Sequence, residues 1–296
     1  MSFYFNDYSY AGNIDKFIDT RNFIVEGFEY YKYNKEVLGY KTALPTELIK
    51  MYYDLNPTEV VFDNLKKSFI KKYVINESAL EGVNDLTLHG KEEIEGFKEM
   101  YIFMHSLEFN DKFDIFSLKD LNAKLFSCTP YPEFGGNFRR EFAHLSGVKS
   151  DLCDWSYIYQ RLLELDSDVS TLRELSPIIK NSCNAEARIV YLDKCVELGC
   201  KLIKVHPFSD GNGRTIRCFI NKLLEDVGFP SVYVKSQERE EYLTVMNRAL
   251  DFEDYKDIKM FYHYKICDSI IELDINNMDD KNDNNINDKG KIKKLK

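Results

Sequence analysis

One stretch of twelve residues, His206–Arg217, concentrates the side chains that could do chemistry. Its sequence, HPFSDGNGRTIR, holds one imidazole, one carboxylate, a Gly-Asn-Gly turn and two arginines. A neutral histidine can accept a proton from an attacking hydroxyl. An aspartate beside phosphates can hold Mg²⁺, which prefers oxygen ligands. His206 is therefore the candidate general base, and Asp210 is the candidate metal ligand.

The residues after the Gly-Asn-Gly turn predict a helix. Apolar side chains recur there at steps of three and four, which places them on one helix face, and Gly228 and Pro230 end the pattern. The apolar positions are Ile216, Phe219, Ile220, Leu223, Leu224 and Val227. The turn therefore lies where a loop enters a helix N-terminus.

A helix N-terminus of this kind predicts a binding site for an anion. Its first backbone N–H groups have no partner within the helix, and glycines allow a phosphate to approach the backbone closely. Arg214 and Arg217 fall in the first turn, where a cation opposes the helix dipole. A bound polyanion is the simplest reason for two arginines at this place.

The segment before His206 predicts the support for this site. Residues 185–205 carry apolar side chains on most faces of a helix, and a helix that is apolar all round is buried. We therefore expect a core helix that delivers His206 at its end, followed by a tight loop and a second helix. Phe208 would anchor that loop to the core.

The nine residues HPFSDGNGR resemble the signature of the Fic family, HPFx[DE]GN[GK]R, at every fixed position. The resemblance covers residues 75–262 and implies an all-α helical bundle with a small β-hairpin flap. It further implies a transferase that uses ATP and Mg²⁺ to move AMP onto a Ser, Thr or Tyr hydroxyl of a target protein. The residues implied for nucleotide binding are Phe208, Gly211, Asn212, Gly213, Arg214 and Arg217, with His206 as catalytic base and Asp210 on the metal.

A second resemblance concerns regulation. Many Fic proteins carry an inhibitory helix with the pattern [ST]xxxE[GN], and Glu81 followed by Gly82 matches its end. The resemblance implies that Glu81 pairs with Arg217 and blocks productive ATP binding. The pattern has Ser or Thr four residues earlier, whereas this chain has Glu77. Without that hydroxyl, we expect the inhibitory helix to be held less firmly.

Gly136–Gly147 is flanked by glycines, is short enough for a hairpin and resembles the Fic flap. Its alternation is imperfect, so periodicity alone would leave it as an ordinary loop. In the family such a flap registers the target peptide by adding a strand. The partners implied are therefore ATP and a target protein docked at this segment. A homo-oligomer is neither required nor excluded by the sequence.

The amino-acid composition argues against several other classes of protein. The net charge of −9 argues against a nucleic-acid binder, which needs a basic surface, and no apolar run is long enough to span a membrane. Seven scattered cysteines without a Cys-x-x-Cys pair indicate a reducing compartment, so we expect a cytoplasmic protein.

The predicted organisation has three parts. Residues 1–74 form an N-terminal segment packed on the core, residues 75–273 form the catalytic domain with its inhibitory helix, and residues 274–296 form a polar disordered tail. Two other functions stay open at this point. One is the removal of AMP from a protein, with Glu81 positioning a water, and the other is a catalytically silent interaction module.

Overall fold

The computed structural model describes residues 67–181 and 185–269, except residue 267. Most of the predicted N-terminal segment 1–74 and all of the predicted tail 274–296 lie outside the described residues. Within the described part, the chain is built from helices joined by loops, and none of it is a β-strand. The all-α prediction is confirmed.

The helices follow one another along the chain with short connections. They are α1 Lys67–Leu80, α2 Gly90–Met104, α3 Leu107–Asp111, α4 Ser117–Phe126, α5 Ile158–Asn181, α6 Ala185–Val205, α7 Asn212–Asp226 and α8 Arg239–Phe252, followed by a helical run, α9, over residues 256–266. No helix among these described ranges is both long and apolar enough to cross a bilayer.

Helix α7 forms the centre of the fold. It packs against α2, α4, α5 and α6, and nearly all of its residues are buried, including all of its charged ones except Asp226. Helix α6 is buried along most of its length, as its apolar sequence predicts. The loop between α6 and α7 is therefore held at both ends by helices that the core fixes in place, which makes it a rigid carrier for functional groups.

The predicted hairpin at Gly136–Gly147 is wrong in its pairing. This segment forms no strand ladder with itself, and its backbone pairs with the α6–α7 loop instead. It forms an isolated antiparallel bridge between Phe138 and Phe208, and the backbone N–H of Arg139 donates to the carbonyl of Pro207 at 2.9 Å. A two-stranded hairpin alone is marginally stable, so pairing with a loop already fixed by the core is favoured.

Candidate active site

His206 is placed by the way in which α6 ends. Its backbone N–H still donates to the carbonyl of Leu202 at 3.0 Å, but its φ of 49° is left-handed. For a residue with a side chain this conformation costs about 1 to 2 kcal/mol. Pro207 follows and cannot continue the helix. The chain therefore leaves α6 abruptly at His206 and enters the Gly-Asn-Gly loop.

Arg139 stabilises this helix end from the neighbouring segment. Its guanidinium donates to the backbone carbonyls of His206 at 2.6 Å, Val205 at 3.3 Å, Glu141 at 2.6 Å and Cys153. The side chain is almost entirely buried. A cation at this place also complements the negative end of the α6 dipole. Sequence reasoning missed Arg139, because only the fold brings it to the carbonyls of residues 205 and 206.

The environment of His206 keeps its imidazole neutral. Burial lowers its pKa to about 4, and the Arg139 guanidinium acts in the same direction. The Ile203 carbonyl and the carboxylates of Glu81 and Asp210 oppose this shift, with a smaller total effect. Nδ1 is buried and has no well-formed hydrogen bond among the described residues. At neutral pH His206 is therefore in the form that can accept a proton.

The loop after His206 is closed by Asn212. Its side-chain oxygen accepts from the backbone N–H of Phe208 at 2.8 Å, and its side-chain nitrogen donates to the Phe208 carbonyl at 2.6 Å. Phe208 is buried in the core cluster, as expected for an anchor. Gly211 has a φ of 73°, and a Cβ there would lie 2.6 Å from Leu125 Cδ2. Both conformation and space therefore require glycine at position 211.

Asn122 of α4 ties this loop to its surroundings and was also missed by sequence reasoning. It is fully buried, and its amide nitrogen donates to the carbonyl of Asp210 at 3.2 Å and to Thr215 Oγ1 at 3.1 Å. Its side-chain oxygen accepts from the backbone N–H of Gly136 at 2.9 Å. One side chain therefore links α4, the loop, α7 and the 136–147 segment.

Glu81 stands against the N-terminus of α7. A Cβ placed on Gly213 would lie 2.0 Å from Glu81 Oε1, so the carboxylate fits against this position only because residue 213 is glycine. Glu81 follows the last residue of α1, Leu80, and so lies just outside the helix in which it was expected. A carboxylate at this place holds the position that an anionic ligand would occupy.

Arg217 is bound by two carboxylates from the end of α1. Its Nη2 donates to Glu81 Oε1 at 2.6 Å, which is the predicted contact, and its Nε donates to Glu77 Oε2. Burial raises the pKa of Glu81, but the Arg217 guanidinium beside it has the opposite effect and holds that pKa below its usual value. The expectation that Glu77 leaves α1 loosely held is wrong. Glu77 is fully buried and forms its own ion pair with Arg217.

Arg214 is also paired, with a residue that sequence reasoning did not single out. Its Nη1 donates to Glu93 Oε2 of α2 at 2.8 Å, and both side chains are buried. The Tyr131 hydroxyl donates to the other Glu93 oxygen at 3.4 Å. Arg214 Nε is a buried donor without a partner among the described residues, which fits an anion acceptor at this end of α7.

Asp210 is exposed at the mouth of the loop. Its Oδ1 accepts from the backbone N–H of Gly211 at 2.6 Å. No cluster of three His, Cys, Asp or Glu that could hold a metal occurs in the part of the chain that the structure describes. Mg²⁺ is commonly held by one or two carboxylates together with phosphate oxygens and water. A single carboxylate next to a phosphate loop is compatible with that mode of binding.

These features define a class of protein. A neutral histidine lies at a helix end, a glycine loop follows at the N-terminus of the next helix, and two buried arginines lie in its first turns. This is the arrangement that the sequence predicted for an anion site with a base beside it. The sequence model of the Fic/DOC family matches residues 112–224, which include this whole loop and most of α7. Residues 112–224 therefore match a Fic domain, and the sequence resemblance is confirmed.

Comparison with known proteins gives the same assignment. The chain is 41% identical over 64 residues to a protein adenylyltransferase Fic of Nematostella vectensis, and 35% identical over 120 residues to one of Drosophila willistoni. These segments are 22% and 40% of this chain, but only 14% and 21% of the relatives' own length. The similarity therefore covers a minor part of those larger proteins.

Solved structures show the same fold at low sequence identity. Fic-1 of C. elegans, residues 134–508, superposes with a TM-score of 0.61 at 18% identity, over 80% of this chain and 71% of that one. A Fic-domain signalling protein from Bacteroides thetaiotaomicron gives a TM-score of 0.59 at 14% identity, over 77% of this chain and 93% of that one. The helical arrangement described above is therefore that of Fic proteins.

Proposed function

We propose that this chain is a protein adenylyltransferase that transfers AMP from ATP to a hydroxyl side chain of a target protein. The observation that carries the proposal is the neutral imidazole of His206 beside the N-terminus of α7. A proton acceptor and an anion-binding turn lie within one rigid loop, as an attack by a hydroxyl on a phosphate requires. The names of the curated relatives support the same reaction.

In the proposed reaction, the target hydroxyl oxygen attacks the α-phosphorus of ATP. A bond forms between that oxygen and the α-phosphorus, the bond from the α-phosphorus to the oxygen that bridges the α- and β-phosphates breaks, and pyrophosphate leaves. His206 accepts the hydroxyl proton, and the phosphate charge beside it offsets the burial that disfavours an imidazolium. The backbone N–H groups of Gly211–Gly213 stabilise the charge that develops on the α-phosphate, because they are oriented before the substrate binds.

The arginines hold the remaining phosphates in this proposal. Arg214 offers its unpartnered Nε, and Arg217 offers its Nη groups once Glu81 has moved away. Asp210 would hold Mg²⁺, which neutralises phosphate charge when it is bound. The target peptide would lie along the 136–147 segment, where Phe142 is exposed and the neighbouring Glu141 accepts a hydrogen bond from Ser209 of the loop.

The contact between Glu81 and Arg217 supports a further proposal, in which the described arrangement is a resting state. Its carboxylate covers Gly213 and engages Arg217, so a triphosphate cannot use either group in the same arrangement. We therefore propose that Glu81 inhibits AMP transfer until it withdraws. Its side chain is about one-third exposed and lies outside the helix, which allows it to move without unfolding α1.

The test uses ATP labelled at the α- or the γ-phosphate, with Mg²⁺, in the purified protein and in a cell lysate. We expect protein-bound label from α-labelled ATP only, since pyrophosphate leaves. His206→Ala should lower the rate by roughly 100- to 10,000-fold and leave ATP binding intact, because general-base catalysis typically contributes this much. Undiminished labelling by His206→Ala would refute the proposed base, and label from γ-labelled ATP would indicate phosphoryl transfer.

A second candidate function is removal of AMP, and the position of Glu81 favours it. The carboxylate is partly open to solvent and lies at the anion-binding end of α7, where it could position a water for attack on a protein-bound phosphate. Incubation with an adenylylated protein distinguishes the two activities. Release of AMP that is lost in Glu81→Gly would identify the hydrolase, and the absence of both reactions would favour an interaction module.

A further inference from the structure

Glu77 makes two contacts that Glu81 does not. It is fully buried in the last turn of α1, and its two oxygens have different partners. Oε2 accepts from Arg217 Nε, while Oε1 accepts from the backbone N–H of Val234 at 2.9 Å. The carboxylate therefore connects α1, α7 and the segment before α8, and neither of its oxygens is left for a ligand.

The two glutamates bind different sides of the same guanidinium. Glu77 accepts a hydrogen bond from Nε, whereas Glu81 accepts one from Nη2, on the side of the turn at Gly211–Gly213. Arg217 Nη1 would lie 2.8 Å from a Cβ on Gly213, so the Nη groups face that turn. The Tyr242 ring centroid lies 5.6 Å from the guanidinium carbon. When Glu81 withdraws, Nη2 becomes available and Nε stays bound.

The two contacts also differ in how easily they open. Glu77 has no exposed surface, and separating a buried carboxylate from its arginine is strongly unfavourable because both charges lose their partner. Glu81 is about one-third exposed and lies in the turn after α1, where water can replace its partner. Release of Glu81 therefore requires neither the loss of the Glu77–Arg217 pair nor the undocking of α1.

We propose that Glu77 is a positioning residue, which holds Arg217 by Nε so that its Nη groups face the phosphate at the far end of the bound nucleotide. Arg217 lies one turn deeper in α7 than the amides of Gly211–Gly213. Its Nη1 reaches back to the side of Gly213, where it can bind the phosphate next to the one that those amides hold. In this view Glu81 prevents Arg217 from binding a phosphate, whereas Glu77 orients the guanidinium toward that phosphate. The inference rests on the proposed use of ATP.

The experiment compares the binding of ATP and ADP at equilibrium, in the presence of Mg²⁺. The Glu81→Gly protein is the reference, since its Arg217 is free for a phosphate. Adding Glu77→Gln should weaken ATP binding by about tenfold, which is the effect expected for one misaligned charge-assisted contact, and should change ADP binding little. In AMP-transfer assays the KM for ATP should rise, with kcat nearly unchanged.

Glu197→Gln in the same Glu81→Gly background is the matched control. Glu197 is a largely buried carboxylate of α6 that pairs with Lys259 and Lys194, neither of which belongs to the turn at Gly211–Gly213. Its replacement should leave both nucleotide affinities unchanged. Thermal unfolding of each variant shows whether it is folded. If Glu77→Gln does not fold, Glu77→Asp keeps the charge and retracts the carboxylate, and the preference for ATP over ADP should again fall.

Three results would overturn the inference. If Glu77→Gln weakens ATP and ADP binding equally, Glu77 has a structural role only. If it changes neither affinity, Arg217 needs no positioning by Glu77. If it makes AMP transfer faster, Glu77 is a second inhibitor. Failure of the proposed function gives a different pattern. In that case Glu81→Gly binds nucleotide without transferring AMP, and the comparison of ATP with ADP still decides the role of Glu77.

Discussion

Acidification from pH 7 to pH 5 should destabilise this fold through His206. The pKa of the folded imidazole is lowered to about 4, whereas an unfolded histidine has its ordinary value of about 6.5. Between these two values the unfolded chain binds a proton that the folded chain does not. The stability contributed by the neutral ring is therefore complete above about pH 6.5 and is lost progressively as the pH falls toward 4.

The size of the effect follows from the difference between the two pKa values. Complete loss corresponds to about 3 kcal/mol, since each pKa unit is equivalent to about 1.4 kcal/mol. At pH 5 about 2 kcal/mol of this is already lost. For a chain of this size, 1 kcal/mol shifts the melting temperature by about 2 to 4 °C. Acidification to pH 5 should thus lower the melting temperature by roughly 4 to 8 °C through this residue alone.

The assay compares intact protein with His206→Gln, in thermal unfolding at pH 7 and pH 5. Glutamine has no titrating group, so the part of the pH dependence that belongs to His206 disappears in the variant. The other histidines and the carboxylates titrate in both proteins and cancel in the difference. Histidine ring signals in NMR, followed against pH, give the pKa of His206 directly.

Two results would refute this reasoning. One is an equal loss of melting temperature in intact and His206→Gln protein between pH 7 and pH 5. The other is an NMR pKa for His206 near 6.5, which would mean that burial and Arg139 do not disfavour the charged ring. The ring would then be mostly neutral at pH 7 because of its ordinary pKa of about 6.5, without any contribution from the fold.

Three further predictions concern neighbouring residues. Arg139→Gln should raise the pKa of His206 in the NMR titration, while Arg139→Lys should keep it low. An unchanged pKa in the glutamine variant would exclude the positive charge of Arg139 as a cause of the lowered value. Asp210→Ala should weaken the Mg²⁺ dependence of AMP transfer and leave nucleotide binding to the amides, whereas activity of intact protein in EDTA would contradict its metal role. Glu81→Gly should raise initial AMP-transfer rates by roughly ten- to a thousand-fold at saturating ATP, through the release of Arg217, and equal rates would mean that Glu81 does not inhibit.

The contacts of Glu77 and Glu93 could not be predicted from sequence, and the reason is physical. Each lies on a helix distant in sequence from the arginine it binds, and a glutamate on a helix is usually a solvated surface residue. Only the docking of α1 and α2 against α7 buries these carboxylates beside Arg217 and Arg214. Burial then makes the partner obligatory, because a buried charge without one is unfavourable.

The 136–147 segment shows the same division between local and tertiary information. Its glycines and length predicted a hairpin, which is a local structure. Its backbone pairs instead with Pro207 and Phe208, and Arg139 binds the carbonyls at the end of α6. Such contacts depend on the position of a loop seventy residues away, which neither propensity nor alternation encodes.

By itself, the sequence determined the helical class, the buried helix before His206, the turn at Gly211–Gly213 where a loop enters the next helix, and the resemblance to the Fic family, because each depends on short-range periodicity or a local motif. The predicted pairing of Glu81 with Arg217 came from a resemblance and agrees with the observed contact. Only the tertiary structure decided which carboxylate meets which arginine, and how strongly His206 is desolvated. These properties depend on distances between separate helices and on the exclusion of water from the core that they form.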